Sequence, residues 1–144
     1  IINNVPTSYL EASEVLAYLK ADNTQAYVRV HEYGYVGLFC EAELYYYVTD
    51  KLLSISEDEW KVFHSLLSHE DRNIVKNYSE DKIKEILFGL SRGLDFDGER
   101  VIFFLTALKI SKIKHLDLHP RNIMKDKIGN FKLVDFNRTK MEKI

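Results

Sequence analysis

The sequence predicts an α+β domain, and three patterns predict it. Apolar residues recur at helical spacing after Ser8, a tyrosine- and valine-rich alternation fills residues 26–48, and helical spacing returns between Ser56 and Ile113. Two short β-prone runs around Gly129-Asn130 follow. The 144 residues are 46% hydrophobic and 12% aromatic, the composition of a folding chain that can bury a core without disulfides or metal.

Taken in order, Ser8 is an N-cap and Glu11 completes its capping box. Tyr9, Leu10, Val15, Leu16, Tyr18 and Leu19 then carry a helix to about Ala21, and the polar residues 22–25 end it. Residues 26–36 alternate, Tyr27, Arg29 and His31 against Val28 and Val30, with Gly34 and Gly37 as punctuation, which predicts a strand and a turn. Residues 39–48 predict the antiparallel partner, because the run from Leu44 to Val48 is too β-prone for a helix. Thr49-Asp50-Lys51 breaks that strand.

Ser56-Glu57-Asp58-Glu59 is a second capping box, opening a helix through Trp60, Phe63, Leu66 and Leu67. Ser79 opens another through Ile83, Ile86, Leu87 and Leu90, stopping near Gly93. Asp97-Gly98 precedes the most apolar helix, residues 99–113, with Val101, Ile102, Leu105 and Leu108 on one side and Phe103 and Phe104 widening that face. This helix is expected at the centre of the domain. The last expected strands are residues 122–125 and 131–134, joined through Gly129-Asn130.

Bulk properties exclude several functions. Net charge is −2 with both signs interspersed, which argues against broad nucleic-acid binding and against an acidic nucleic-acid mimic. Lys125, Lys127, Lys132, Arg138, Lys140 and Lys143 read as a solvated edge in preference to a phosphate-contacting patch. The single cysteine, Cys40, cannot form an internal disulfide, which fits a reducing, cytoplasmic setting. No apolar run approaches the ~20 residues of a membrane span. The first residues show no signal-peptide pattern.

Chemistry concentrates in residues 115–136, HLDLHPRNIMKDKIGNFKLVDF. Asp117 lies in a polar loop after the apolar helix, flanked by His115 and His119, and Pro120 stops that helix and stiffens the turn. Asn122 opens one strand of the expected hairpin, and Asp135 closes the other. Such a hairpin brings both ends to one small volume. An amide oxygen beside a carboxylate is a hard-oxygen site suited to Mg²⁺. Asp117, held nearby, can accept a proton from an attacking hydroxyl.

These residues resemble the protein-kinase-like superfamily, whose catalytic loop H-x-D-x-x-x-x-N is followed by an apolar-D-F segment. Here the two elements read His115 to Asn122 and Leu133-Val134-Asp135-Phe136, at matching separation. The resemblance implies Asp117 as catalytic base, Asn122 and Asp135 as Mg²⁺ ligands, His115 as a brace of the loop, and ATP as cofactor. His119, where eukaryotic-type kinases usually carry lysine, looks more like aminoglycoside and choline kinases and early protein kinases of short-tailed phages. It equally suits loop packing. The first helix resembles the regulatory helix of the small lobe, with Glu11 as its ion-pairing residue and Glu14 nearly as well suited. Residues 48–52 resemble the hinge, with Thr49 and Asp50 at the nucleotide. The Tyr45–Tyr47 run reads as sheet packing.

The resemblance thus implies a truncated kinase-like fold. Residues 1–52 would be a partial N-lobe of helix, two strands and hinge, packed on a mainly helical partial C-lobe, 53–144, with its catalytic-loop hairpin. The family's glycine-rich loop is missing, no Lys occurs before Lys20, no activation segment follows Asp135, and Asn137 replaces the usual Gly, a mild change because Asn tolerates left-handed backbone. Two functional expectations follow. One is an ATP- and Mg²⁺-dependent phosphotransferase core acting on a protein or small-molecule hydroxyl, as part of a longer kinase or together with a separate lobe. The other is a degenerate, pseudokinase-type binding protein, such as a phage or mobile-element inhibitor of a host or defence protein. The unpaired edge of the 27–48 hairpin suits dimerisation or partner docking.

Overall fold

The computed structural model describes residues 9–21, 25–67, 79–111, 113–115, 120–134 and 139–141, with backbone alone at 9–11, 42, 113–115 and 139–141. Helices and small antiparallel sheets alternate along the chain, so the α+β class holds. Helix α1, Tyr9–Lys20, buries Ala12, Val15, Leu16 and Leu19, one stripe at spacings of three and four. Ser8, its expected cap, lies outside the described residues.

Strands β1, Val30–Phe39, and β2, Ala42–Thr49, form an antiparallel hairpin. The expected turn at Gly34 or Gly37 is corrected. The chain reverses at Cys40-Glu41, both with positive φ, 47° and 65°. Both glycines instead lie inside β1. Gly34 faces Tyr46, whose ring fills the space where a Cβ would stand. Gly37, at φ 154°, sits where the register shifts, so it absorbs a bulge. Tyr45 is fully buried, Tyr47 packs on the core beside it and Tyr46 faces out, as a strand's two-residue period requires.

Helix α2, Glu57–Leu67, begins with the expected reciprocal capping box. The Ser56 N–H donates to Glu59 Oε1 at 2.7 Å, and the Glu59 N–H donates to Ser56 Oγ at 3.1 Å. Val62, Phe63, Leu66 and Leu67 are buried, whereas Trp60 lies outward against His64. Helix α3, Glu80–Leu90, is capped by Ser79, and α4, Gly98–Ile110, by Asp97. The expected end of α4 at Ile113 is corrected. Ser111 turns extended, at φ −66° and ψ 140°, and Ile113 opens strand β4, Ile113–His115. Phe103 is half exposed, while Phe104 is fully buried. Phe104 meets Phe63 and Phe131 edge-on, with centroids 4.9–6.3 Å apart among the three.

Strands β5, Ile123–Lys125, and β6, Phe131–Leu133, make the expected second hairpin, and β3, Leu53–Ser54, adds to its β5 edge. On its other edge, Val28 N–H donates to Leu133 O at 3.1 Å and Leu133 N–H to Ala26 O at 2.7 Å. Strand β7, Thr139–Met141, pairs with β4 and packs beside α1. One buried cluster joins residues of α1 and β2 to residues of α2, α4, β5 and β6. No helix among the described residues is long and apolar enough to cross a membrane.

Candidate functional site

The flanks of the two motif segments are joined to each other. β4 ends at His115, which lies opposite Thr139, the first residue of β7. Pro120 to Asn122 form a 3₁₀ turn against α2, with Pro120 buried at its first position, where a missing N–H costs nothing. β5 then begins at Ile123 opposite Leu133. The ladder continues one step beyond the hairpin, for the Val134 N–H donates to the carbonyl oxygen of Asn122 at 2.8 Å. Residues 116–119, with Asp117 and His119, and residues 135–138, with Asp135, lie outside the described residues. Each segment therefore connects one joined pair, His115 with Thr139, to another, Asn122 with Val134.

The hairpin behind Asn122 is fastened at several points. Its tip is an Asp126-centred turn, in which Asp126 Oδ1 accepts from the N–H groups of Ile128 and Asn130 at 3.1 and 2.8 Å. Gly129 has φ 95°, and a Cβ there would meet Arg100 Nη1 at 3.1 Å. That guanidinium donates to Asn130 Oδ1 at 3.0 Å and, through Nε, to Asp97 Oδ2 at 3.2 Å, tying the tip to the start of α4. Lys132 Nζ donates to Gln25 O at 3.0 Å. Lys125 Nζ lies 2.8 Å from Glu59 Oε1. Burial opposes ionisation of Glu59, but the hydrogen bonds of Lys125 and Ser56 outweigh it and hold the carboxyl below its ordinary value. Two lysines expected on a solvated edge, Lys125 and Lys132, are thus bound to the framework.

The other predicted positions lie on separate elements. Thr49 closes β2 and its Oγ1 donates to the Asp50 carbonyl at 3.2 Å. The Asp50 carboxylate lies 2.6 Å from His31 Nε2. Asp50 and Lys51 line a cavity of about 360 Å³ whose far wall is the hairpin tip, Asp126, Lys127 and Ile128. Glu11 lies in the first turn of α1, whose helix packs beside β7. Among the described residues no three His, Cys, Asp or Glu side chains gather around one point. Both acidic residues of the motif, Asp117 and Asp135, fall outside that set.

Sequence reasoning missed the polar pairs His31–Asp50 and Glu59–Lys125. The second had a signal. Lys125 shares a strand face with the apolar Ile123, which turns its side chain inward, where it needs a carboxylate partner. Compared with protein-family models and with curated proteins, the sequence matches none.

Proposed function

We propose that the chain is a kinase-type phosphotransferase core of protein-kinase-like fold, which transfers the γ-phosphoryl group of ATP to a hydroxyl. The observation that carries this reading is the double closure around the motif, His115 opposite Thr139 and Val134 bonded to Asn122. Chain connectivity keeps Asp135 one residue, about 4 Å along the backbone, from Val134, and Asp117 two residues from His115. That the three motif positions follow so closely on paired backbone supports reading them as one site.

In this mechanism Asp117 accepts the proton of the attacking hydroxyl as the oxygen bonds to phosphorus and ADP leaves. The side chains of Asn122 and Asp135, an amide oxygen and a carboxylate, suit Mg²⁺ and would hold it. A metal held there would supply neutralisation of charge on the phosphates. Thr49 and Asp50 contact the nucleotide, Glu11 is the ion-pairing residue of the first helix, and His115 and His119 brace the loop around Asp117. The acceptor is a protein or small-molecule hydroxyl, and the setting is cytoplasmic, in keeping with the single unpaired thiol at exposed Cys40. Phosphate transfer from labelled ATP, measured with and without Mg²⁺, tests the reading. Asp117→Ala and Asp135→Ala should each abolish transfer, and undiminished transfer in both would refute it.

A second reading, a pseudokinase-type binding protein, is favoured by the apolar end of the first hairpin. Val36, Leu38 and Phe39 are 56%, 66% and 55% exposed around the Cys40-Glu41 turn. Exposed apolar clusters of this kind suit a protein partner or a second copy. On that reading Asp117→Asn leaves the biological effect unchanged, and loss of the effect in that variant counts against it.

A further inference from the structure

Glu59 is the charged residue that the fold buries among those described, at 8% exposure. Burying a carboxylate is unfavourable unless partners are supplied, so its position calls for a physical reason. A helix cap alone does not need it buried. The capping bond asks only that one carboxylate oxygen reach the Ser56 N–H, which leaves the rest of the Glu59 side chain free to face solvent.

The geometry points to Glu59 and Lys125 as a positioning pair that sets Asn122 relative to residues 49–51. The functional half of this inference rests on the phosphotransferase reading, in which those two places hold metal and nucleotide. One oxygen, Glu59 Oε1, takes both the Ser56 N–H at 2.7 Å and the Lys125 ammonium at 2.8 Å. Lys125 is also the Cα partner of Leu53 in the β3·β5 pair. The chain therefore leaves Lys125 at Leu53, turns through Ile55 and Ser56 into α2, and returns to the same lysine through Glu59. This closed ring locks α2 to β5.

What the ring holds lies at its two ends. Leu53 follows Lys51 by two residues, and Asp50 and Lys51 line the cavity against the hairpin tip. Asn122 directly precedes β5, and α2 packs on its 3₁₀ turn. Removing either charge leaves the other half-enclosed and releases β5 from α2 at its end nearest the tip. The displacement reaches Asn122 through Ile123, which shares the Lys125 face of the strand. Both residues act through Asn122 and are positioning residues in this sense.

The test compares the full chain with Glu59→Gln, Lys125→Met and Lys125→Arg. One measurement is hydrogen exchange at the Val134 amide, which is bonded to Asn122, against amides of the β1·β2 hairpin. The other is the Mg²⁺ concentration needed for half-maximal ATP binding. Glu59→Gln and Lys125→Met should each speed exchange at Val134 by about ten-fold more than at β1·β2 amides, and Lys125→Arg should bring that difference to within about three-fold. The Mg²⁺ requirement should rise in step. Should Glu59→Gln unfold the chain, Lys125→Met reads the same pair from its more exposed partner. Unchanged exchange at Val134, or a uniform rise at every amide, would overturn the inference even if ATP–Mg²⁺ binds. Local exchange effects in a chain that binds no ATP–Mg²⁺ would support the pair as a structural clamp and overturn the phosphotransferase reading instead.

Discussion

Tyr46 lies across the strand from Gly34, with its Cε1 only 2.6 Å from where a Cβ on Gly34 would stand. Its hydroxyl reaches on to Glu32 Oε1 at 3.2 Å. The ring thus covers a glycine that would otherwise weaken the strand. Gly34→Ala should displace the ring and cost about 1 kcal/mol, because an exposed tyrosine can swing away. In a Tyr46→Ala background the same change should cost close to nothing. Urea denaturation of the four members of that cycle measures the coupling.

The aromatic trio sets a larger expectation. Phe104 is fully buried against Phe63 and Phe131, whereas its neighbour Phe103 is 49% exposed. Phe104→Ala should destabilise the fold by about 3–5 kcal/mol, and Phe103→Ala by roughly 1 kcal/mol or less. Equal losses at the two positions, read from denaturant midpoints, would contradict the packing of α4.

Gly129 should tolerate no side chain. At φ 95° it occupies backbone that side chains rarely adopt, and Arg100 Nη1 stands 3.1 Å from its absent Cβ. Gly129→Ala should cost about 1–3 kcal/mol. Deleting the guanidinium as well, by Arg100→Met, should relieve the contact and leave the backbone strain. Thermal unfolding of the single and double variants separates these contributions.

Acid should weaken the fold through Glu59. Its carboxyl is held below its ordinary value of 4.5 despite burial, because Lys125 and Ser56 bond the charged form. A lowered folded-state value means that its contribution is complete above about 4.5 and fades as pH falls through the depressed value. Glu59→Gln should therefore lose about 2 kcal/mol at neutral pH and lose less further stability than the parent on acidification below 4.5. Denaturant midpoints from neutral pH down to about 3 test that crossover, the range being set by the carboxylate window.

Legibility in the sequence followed local chemistry. The caps at Ser56 and Ser79 were readable because each side chain bonds backbone within three residues. The stripe of α1 and the alternation of Tyr45, Tyr46 and Tyr47 were readable because burial repeats at the period of the backbone. The Cys40-Glu41 turn was not, since neither residue advertises positive φ while two nearby glycines do. Strands of two or three residues, such as β3, β4 and β7, are too short to show any period and exist through partners far along the chain. The same limit applied at the candidate site. Spacing pointed to Asp117, Asn122 and Asp135, but the pairing of His115 with Thr139 and of Glu59 with Lys125 depends on tertiary approach that no local pattern encodes.

The central claim is that residues 115–136 form a metal-assisted nucleotide site. Calorimetric titration of the chain with ATP, in the presence and absence of Mg²⁺, addresses it most directly. Saturable binding that requires Mg²⁺ and disappears in Asp135→Ala is the predicted result. Absence of heat and of any thermal shift with ATP–Mg²⁺, in a chain that remains folded, would contradict it.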